Sequence, residues 1–399
     1  MRSVTPNSRT ASLAESATLA ISAQAAKLRS EGRNVISLSA GEPDFPTPEA
    51  IAEAGIQAIR EGRTRYTAAS GLPKLRQAAA GWFQNCYGLT YAPNEVMVTS
   101  GVKAALHMAL MSLVEPGDRV LLLAPYWVSY PSLVHVAGGE PVILPATPDQ
   151  GFLHSPEQIA EAAKTTGARG IIINYPSNPS GAVPDKELVQ GIHDVAEAAG
   201  MWILSDEIYG SLVYDDCEHI SPASFDAEHD RVVVVNGGTK SHSFTGWRIG
   251  FLAGHADMIA AAGRLQSQVI GNSCTISQEA AMEICCGDYT EELAARKSAF
   301  DQRRRFLVEQ INAIDGLSAE LPKGAFYVMA NAGEICSRLD TNDIGVASRI
   351  LHDHLVATVP GSPFGAPGFL RLSYAVSMEE LEIATQRLSE FACSVEIKG

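Results

Sequence analysis

Several signatures that would place this 399-residue chain in a familiar class are missing from it. Its seven cysteines include no C-x-x-C pair, which argues against both a zinc ribbon and a disulfide framework. The opening stretch MRSVTPNSRTASLAES holds no continuous apolar segment, so we expect no secretory signal there. No apolar run approaches the roughly 18 residues of a transmembrane helix, and we expect a cytoplasmic protein without a membrane partner.

Positive charge is also scarce in this chain. Lys and Arg together number 30 against 45 Asp and Glu, which gives a formal net charge of −15. No lysine-rich tract or basic stripe is present. Nucleic acids and anionic membranes attract proteins through clustered positive charge, so the composition argues against both as partners.

The common catalytic motifs are absent as well. The ten histidines form no H-E-x-x-H motif, and His352 and His354 lie two apart in a predicted helix, on different faces, so we expect no metal site. There is no G-x-S-x-G elbow and no G-x-G-x-x-G loop. The stretch NGGTKS ends like a Walker A loop but lacks that loop's first glycine.

What the chain does contain, between about residues 96 and 260, is an alternation of short apolar runs with amphipathic stretches. The apolar runs are EVMVTSG, RVLLLAP, PVILPA, GIIINYP, WILSDEIY and RVVVVNGG. Helical stretches such as DKELVQGIHDVAEAAG separate several of them. This order predicts an α/β fold with a largely parallel sheet covered on both faces. In such sheets ligands bind beyond the carboxyl ends of the strands.

The C-terminal third follows a different pattern. A long helical stretch over about 276–313 precedes three short predicted strands, in GAFYVMAN, VATVPG and FLRLSYAV, and a closing helix from about Met378. This pattern predicts a second, smaller α/β domain. We divide the chain into an N-terminal arm and joining segment at 1–48, a large domain at 49–285 and a small domain at 286–399.

Reactive groups stand at two of the predicted strand ends. Lys240 follows the RVVVVNGG run, and Asp206 lies in SDEIY. Pyridoxal phosphate chemistry uses a lysine that forms a Schiff base and a carboxylate that keeps the pyridine nitrogen protonated. It also needs a phosphate site, which the amides of Gly101 and Val102 at a predicted helix start, together with Arg248, can supply.

Two aromatic residues complete this set. Tyr209, three residues after Asp206, can hydrogen-bond the same ligand, and Trp127 follows another strand end with a flat face for stacking. Taken singly, each residue has a simpler interpretation. Lys240 alone is a solvated cation, Arg248 a salt-bridge partner, Asp206 a helix cap and Trp127 a core residue. Only their joint arrangement favours the cofactor hypothesis.

The chain resembles the fold-type I, class I pyridoxal-phosphate aminotransferases, in particular the bacterial aspartate aminotransferase subgroup. The resemblance covers nearly the whole chain and keeps the family's order of motifs. The motifs that carry it are SLSAGEPDFPTPEAI, GRTRYTAASGLPKLR, PYWVSYP, NYPSNPSGAV, SDEIY, TKSHSFTGWRIG and FLRLSYA. It implies a large domain with a mostly parallel seven-stranded sheet between helices, a smaller C-terminal domain, and a homodimer with shared active sites.

The resemblance implies a role for each matching residue. Lys240 is expected to form the Schiff base and later to move a proton, with Asp206 pairing with the pyridine nitrogen. Asn178 and Tyr209 are expected to hold the ring oxygen, and Trp127 to stack on the ring. The residues expected to hold the phosphate are Arg248, Ser100, the amides of Gly101 and Val102, and Tyr66 of the partner subunit.

The substrate contacts implied by the resemblance are fewer. Arg371 is expected to grip the α-carboxylate in a bidentate fork, and the other expected contacts are Asn178, Trp127, the backbone at Gly41, and Ser16 in an N-terminal segment that closes over the substrate.

Side-chain specificity rests on three further positions. Lys103 occupies the place from which a lysine approaches a distal carboxylate in this subgroup, although a lysine at a helix start needs no such role. Val269 and Ile270 stand where close relatives carry Ser or Thr, in a segment expected to reach the neighbouring active site. Their apolar character would admit aliphatic or aromatic side chains. We find no match for the family's partner-subunit arginine.

We therefore expect an aminotransferase that passes the amino group of an L-amino acid, aspartate or glutamate first, to a 2-oxo acid such as 2-oxoglutarate. Two alternatives within the scaffold stay open: an aminotransferase for aromatic or other neutral amino acids, and a β-eliminating lyase. A cofactor-binding regulatory protein with a fused DNA-binding domain is disfavoured, because the family match begins by about residue 16 and Lys240 is present.

Overall fold

The structure is a computed structural model that describes residues 4–11, 13 and 15–395. Parts of two predicted segments lie outside the described residues: 1–3, 12 and 14 of the N-terminal arm, and 396–399 of the small domain. Within the described part of the chain, no helix is both long enough and apolar enough to span a bilayer.

Fourteen α-helices are found in the described residues. They are α1 (Ser8–Ala11), α2 (Ala17–Ser30), α3 (Glu49–Arg60), α4 (Pro73–Tyr87), α5 (Val102–Leu113), α6 (Tyr130–Ala137), α7 (Pro156–Thr166), α8 (Lys186–Ala199), α9 (Ala256–Val269), α10 (Thr275–Cys286), α11 (Thr290–Asn312), α12 (Gly333–Arg338), α13 (Asp343–His354) and α14 (Met378–Ser394).

Thirteen strands accompany them in the same part of the chain. They are β1 (Ile36–Ser37), β2 (Val96–Thr99), β3 (Arg119–Leu123), β4 (Glu140–Leu144), β5 (Gly170–Asn174), β6 (Trp202–Asp206), β7 (Val232–Asn236), β8 (Gly250–Ala253), β9 (Ser318–Ala319), β10 (Tyr327–Asn331), β11 (Val356–Ala357), β12 (Val359–Pro360) and β13 (Phe369–Ser373).

The large sheet has seven strands in the order β2-β8-β7-β6-β5-β3-β4. Every pair among β3 to β7 is parallel, whereas β8 runs antiparallel to both β7 and β2. The six predicted apolar runs all form strands of this sheet. The prediction missed β8, whose four residues GFLA follow the Lys240 loop and are too few to show a clear pattern.

Both faces of this sheet are buried, which explains the continuous apolar runs. In β5, Ile171 and Ile173 face a core built with α4, α7, α8 and α10, and Ile172 faces another built with α5, α6 and α9. Successive side chains of a strand point to opposite faces, so a sheet between two helix layers needs apolar residues at every position. The predicted parallel sheet between helices is confirmed.

The second sheet is antiparallel, with four strands in the order β12-β13-β10-β9. Its core includes Phe300 of α11, Tyr327 of β10 and Leu381 of α14. Strand β1 pairs in parallel with β11, and Ile36 lies opposite Val356, so the N-terminal segment joins this C-terminal layer. The predicted smaller α/β layer is confirmed, while the domain limits at 48 and 285 stay predictions.

The expected single helical stretch over 276–313 is two helices, α10 and α11. They are separated by Gly287, Asp288 and Tyr289. The Asp288 carboxylate accepts hydrogen bonds from the backbone N–H of Thr290 at 3.0 Å and from its hydroxyl at 2.7 Å. These bonds supply a partner for an N–H group that has none within the helix and favour a helix start at this point.

Strand β8 and helix α5 meet so closely that only glycine fits between them. A Cβ on Gly250 would lie 2.6 Å from the Val102 nitrogen and 2.7 Å from the Gly101 carbonyl carbon. Because both neighbours are backbone atoms at a helix start, neither can move without shifting the helix.

We predict that Gly250→Ala lowers the free energy of unfolding by about 1–3 kcal/mol through overpacking. Gly81→Ala is the matched control, because Gly81 lies exposed in α4 with nothing within 4 Å of its Cβ position. That change is expected to stabilise by about 0.5–1 kcal/mol through helix propensity. Urea unfolding of both variants measures the difference, and equal effects would contradict the close contact.

Candidate active site

A cavity of about 760 Å³ opens at the carboxyl edge of the large sheet, between it and the second sheet. Twelve of the fourteen site residues predicted from the sequence line it: Ser16, Gly41, Gly101, Val102, Lys103, Trp127, Asn178, Asp206, Tyr209, Lys240, Arg248 and Arg371. Their convergence follows from topology. Parallel strands end at one edge, and antiparallel β8 begins there, which brings in Arg248 from the preceding loop.

Two predicted site residues do not line the cavity. The hydroxyl of Ser100 lies 3.5 Å from that of Ser273, and Tyr66 is 96% exposed. A tyrosine that contributes to a partner subunit's site cannot be buried in its own subunit, and the exposed Tyr66 meets this condition. The roles of Ser100 and Tyr66 in phosphate binding stay predictions.

Lys240 projects into the cavity from the turn after β7. Its amine donates a hydrogen bond to the Gly41 carbonyl at 2.6 Å and lies 5.9 Å from the centre of the Tyr209 ring. Burial lowers the pKa of Lys240 to about 8, although Glu42 and Asp206 act in the opposite direction. An amine with this pKa is partly deprotonated near neutral pH, as a nucleophile or a proton carrier must be.

Asp206 ends β6 at the bottom of the cavity and is 4% exposed. Its carboxylate accepts hydrogen bonds from the Tyr130 hydroxyl at 2.8 Å and the Ile208 N–H at 3.3 Å. Burial raises the pKa of Asp206 to about 6, and these two hydrogen bonds limit the rise. A buried carboxyl group with this pKa suits a ligand group that is protonated or positively charged.

A pair of tyrosines joins the two sheets beside Lys240. The hydroxyls of Tyr209 and Tyr327 lie 2.8 Å apart, and both side chains are buried. Burial raises the pKa of Tyr209 well above its ordinary value, so its hydroxyl keeps its proton and can donate it to a ligand oxygen. Neither Tyr130 nor Tyr327 was predicted, since each lies in a stretch that resembles ordinary core.

One end of the cavity is built for an anion. Helix α5 begins at Val102 with no side-chain cap, which leaves N–H groups of its first turn directed outward. The Arg248 guanidinium lies so close to Gly101 that a Cβ there would be 2.6 Å from Nη2. A bare helix start against an arginine is the arrangement that holds phosphate groups in proteins.

Arg371 provides a second, separate anion site. It is 1% exposed, and its partners are neutral: the Asn178 side-chain oxygen at 3.0 Å and the Ser39 carbonyl at 2.7 Å. Its guanidinium carbon lies 4.4 Å from the Tyr327 ring centre and 5.1 Å from that of Phe364. Its Nε has no hydrogen-bond partner in the part of the chain that the structure describes.

The contrast with another buried arginine shows what Arg371 lacks. Arg304 is equally buried, but it pairs with the carboxylates of Asp301 and Asp215. Among the described residues, no carboxylate forms an ion pair with Arg371. An uncompensated buried charge is costly, so this guanidinium is prepared for an external carboxylate.

Lys103 lines the same cavity as these two sites. Its amine lies 4.8 Å from the centre of the Trp127 ring, a cation–π distance. Burial lowers the pKa of Lys103, with a smaller effect from Arg248 in the same direction. Lys103 has no carboxylate partner in the described part of the chain and can turn toward a ligand.

Together these groups fit a flat, phosphate-bearing ring cofactor next to a carboxylate substrate. The uncapped helix start with Arg248, the Asp206 acid and the Trp127 ring suit the cofactor. The Arg371 Nε, which is unpaired among the described residues, suits a substrate carboxylate. Lys240 lies where it can react with both.

Known proteins place this arrangement in context. The profile of the family described as aminotransferase class I and II matches residues 33–388. An aspartate aminotransferase of Geobacillus stearothermophilus is 41% identical over 385 residues, which cover 96% of this chain and 98% of that protein. An aspartate/prephenate aminotransferase of Thermus thermophilus is 39% identical over 387 residues, 96% of this chain and 97% of that protein.

Solved structures agree with these sequence matches. The aspartate aminotransferase of Thermus thermophilus with maleate superposes with a TM-score of 0.92 at 38% identity, covering 98% of this chain and all of that one. The aspartate aminotransferase of Rhizobium meliloti gives a TM-score of 0.93 at 36% identity, over 99% of this chain and all of that one. The predicted fold type is confirmed.

The burial of Asp206 leads to a prediction about pH and stability. The pKa of Asp206 is about 6 in the folded protein and 3.8 for the free side chain, so between these values the folded state binds more protons than the unfolded state. Stability from this group therefore falls as pH rises from about 4 to 6. We expect Asp206→Asn to raise the free energy of unfolding at pH 7.5 by roughly 1–3 kcal/mol, with no gain near pH 4.

Urea unfolding of the protein without added ligand, at several pH values, measures this effect. Asp226→Asn is the matched control, because that buried carboxylate accepts three backbone N–H bonds and should lose stability on substitution. A stabilising effect of Asp206→Asn that did not change with pH would contradict the assignment.

Proposed function

This chain belongs to the class I and II aminotransferases, and we propose that it passes the amino group of aspartate or glutamate to a 2-oxo acid such as 2-oxoglutarate. The observation that carries the proposal is the uncompensated guanidinium of Arg371 in the same cavity as Lys240 and the helix α5 anion site. Two anion sites in one cavity with a reactive amine suit a phosphate-bearing cofactor and a carboxylate substrate.

Pyridoxal phosphate fits the cofactor part of the cavity. Arg248 and the amides at the start of α5 would hold its phosphate, and Asp206 would hold its ring nitrogen. Trp127 would cover the ring, and Tyr209 and Asn178 would bind its oxygen. When bound, the cofactor supplies an aldehyde that reacts with amines and a ring that accepts electrons from the substrate carbon.

Lys240 would bind the cofactor and, once released by the substrate amine, carry a proton to and from the substrate carbon. Its pKa of about 8 allows both the free and the protonated amine at neutral pH. The Gly41 carbonyl at 2.6 Å holds the amine in place between transfers. The first amino acid then leaves as a 2-oxo acid, and a second 2-oxo acid takes up the amino group.

Arg371 would orient the substrate by its α-carboxylate. A carboxylate can occupy the Nε and one terminal nitrogen of the guanidinium together, which fixes the substrate in one plane. Tyr327 and Phe364 stack on the guanidinium and keep it in that plane. Asn178 bonds to Arg371 and lines the same cavity, so one side chain links the substrate and cofactor parts.

Acidic substrates are favoured by Lys103 and by the relatives. Besides Lys240, Arg248 and Arg371, the cations that line the cavity are Lys103 and Arg29, and the Arg29 Nε donates to the Val35 carbonyl at 2.9 Å. We therefore assign the distal carboxylate to Lys103, and the names of the relatives include aspartate and aspartate/prephenate aminotransferases. Val269 and Ile270, which are 60% and 39% exposed, would favour apolar side chains if they reach a neighbouring site. Neutral amino acids therefore form the second candidate substrate class.

We also propose a homodimer in which Tyr66 completes the partner subunit's phosphate site. The 96% exposure of Tyr66 supports this assembly, since a side chain that reaches a partner subunit's site must be free of its own subunit.

The first experiment follows the absorbance of the protein loaded with pyridoxal phosphate while single L-amino acids are added without a 2-oxo acid. We expect aspartate and glutamate to convert the cofactor fully to its amine form, and Lys240→Ala to lower turnover by at least about a thousandfold. Conversion by neutral or aromatic amino acids alone would contradict the acidic substrate class. Pyruvate and ammonia accumulating while the band recovers would identify a lyase.

A second experiment tests whether Lys103 binds the distal carboxylate of an acidic substrate. We expect Lys103→Ala to raise KM for aspartate about tenfold to a hundredfold, since a hydrogen bond to a charged group is lost, and to leave KM for phenylalanine nearly unchanged. Lys164→Ala, on the exposed face of α7, is the control for removing one positive charge. Equal losses for aspartate and phenylalanine in Lys103→Ala would mean that Lys103 acts only by packing on Trp127.

A further inference from the structure

The residues 39–47, SAGEPDFPT, bond directly to Lys240 and Arg371 of the cavity and are linked to Arg248 through Thr245. We call them the 39–47 segment. The Ser39 carbonyl accepts from Arg371 at 2.7 Å, and the Gly41 carbonyl accepts from Lys240 at 2.6 Å. The Glu42 carboxylate accepts from the Thr245 hydroxyl at 2.9 Å, and the Thr245 carbonyl accepts from Arg248 at 2.9 Å.

The far end of the 39–47 segment is fastened to helix α11 by charge. The Asp44 carboxylate forms a two-pronged pair with Arg303, at 2.8 and 2.9 Å, and the Pro46 carbonyl accepts from Arg296 at 2.7 Å. Arg296 also donates to the Ser243 hydroxyl at 2.9 Å, in the loop that follows Lys240. Both arginines are less than 10% exposed, so these bonds are poorly screened by water.

Packing adds to this attachment. The Phe45 ring meets the Phe300 ring edge-on at 5.3 Å, and the guanidinium carbon of Arg303 lies 5.1 Å from its centre. Arg296, Phe300 and Arg303 are spaced four and three residues apart, which places them on one face of α11. Pro43 and Pro46 fix their own φ angles and stiffen the chain on either side of Asp44.

The contact at Gly41 shows how little freedom the segment has. A Cβ at this position would lie 3.1 Å from the Tyr327 hydroxyl, so the backbone lies directly against the tyrosine pair. The Gly41 carbonyl of this closely packed backbone accepts its hydrogen bond from Lys240.

We propose that Asp44 and Phe45 are positioning residues for Lys240: by fixing the 39–47 segment on helix α11, they set the Gly41 carbonyl that holds the released lysine amine. The inference rests on the proposed function, because it concerns the amine that reacts with pyridoxal phosphate. Neither Asp44 nor Phe45 lines the cavity, and both act through the backbone between them and Gly41.

Nearby charges also affect the protonation of the Lys240 amine. The test therefore has to distinguish an effect of charge from a change in the position of the amine. The carboxylates of Glu42 and Asp206 favour its protonated form, and the guanidinium groups of Arg248 and Arg371 disfavour it. Removal of the Asp44 charge could change its titration at a distance. Phe45→Leu and Arg303→Lys loosen the same attachment without changing the net charge, so the three variants together distinguish position from charge.

The experiment measures the rate at which the full-length protein, freed of cofactor, captures pyridoxal phosphate between pH 6 and 10, followed by visible absorbance. We expect Asp44→Asn, Phe45→Leu and Arg303→Lys each to lower the limiting rate at high pH about tenfold to a hundredfold, because a reacting group displaced by about 1 Å loses that much. The pH midpoint should also move down, because a carbonyl that no longer holds the ammonium group stabilises it less.

Asp315→Asn is the matched control. It breaks an Asp–Arg pair with Arg338, whose side chain is 11% exposed, as is that of Arg303, and it lies outside the cavity. Wild-type rates and midpoint in that variant are expected.

Three results separate the possibilities. Rates and midpoints within twofold of wild type in folded Phe45→Leu and Arg303→Lys would overturn the inference. A shifted midpoint in Asp44→Asn alone would also overturn it, since charge rather than position would then be responsible. Wild-type protein that captures no pyridoxal phosphate would contradict the proposed function itself, whatever the variants do. If Asp44→Asn does not fold, Arg303→Lys carries the same two readouts.

Discussion

The termination of parallel strands at one edge is the constraint on which the rest of this structure depends. Strands β2, β3, β5, β6 and β7 all end there, and each passes into a loop that carries a different chemical group. Backbone polar groups that lose their sheet partners at this edge remain free to bind ligands. Antiparallel β8 adds Arg248 to the same edge because it begins where the others end.

Much of this could be predicted from the sequence, since buried parallel strands leave a strong pattern. Lys240 and Asp206 stand after or within continuous apolar runs, where few charged side chains occur by chance. The fold class followed from the same runs. Strand β8 was missed because its four residues carry too little periodicity, and it is the start of β8 at this edge that places Arg248 there.

Contacts between distant parts of the chain could not be predicted. Tyr130 meets Asp206 across 76 residues, and Tyr209 meets Tyr327 across 118. Tyr130 and Tyr327 fit the pattern of core residues, and only tertiary packing gives their hydroxyls a partner in the cavity. The attachment of Asp44 to Arg303 spans 259 residues and is equally invisible in local sequence. The resemblance to a family supplied roles for the matched residues, but no role for Tyr130, Tyr327, Asp44 or Arg303.

Two buried ionisable side chains in the cavity also lower the stability of the folded chain. Arg371 and Asp206 are both nearly inaccessible to water, and neither has an opposite charge at bonding distance among the residues that the structure describes. Elsewhere in the same fold, Arg304 shows that a buried guanidinium can be neutralised by two carboxylates. Selection for stability alone would favour that solution at Arg371 as well. A buried cation with neutral partners and a buried acid with a raised pKa therefore point to ligands that supply the missing charges, and their binding should stabilise the folded state.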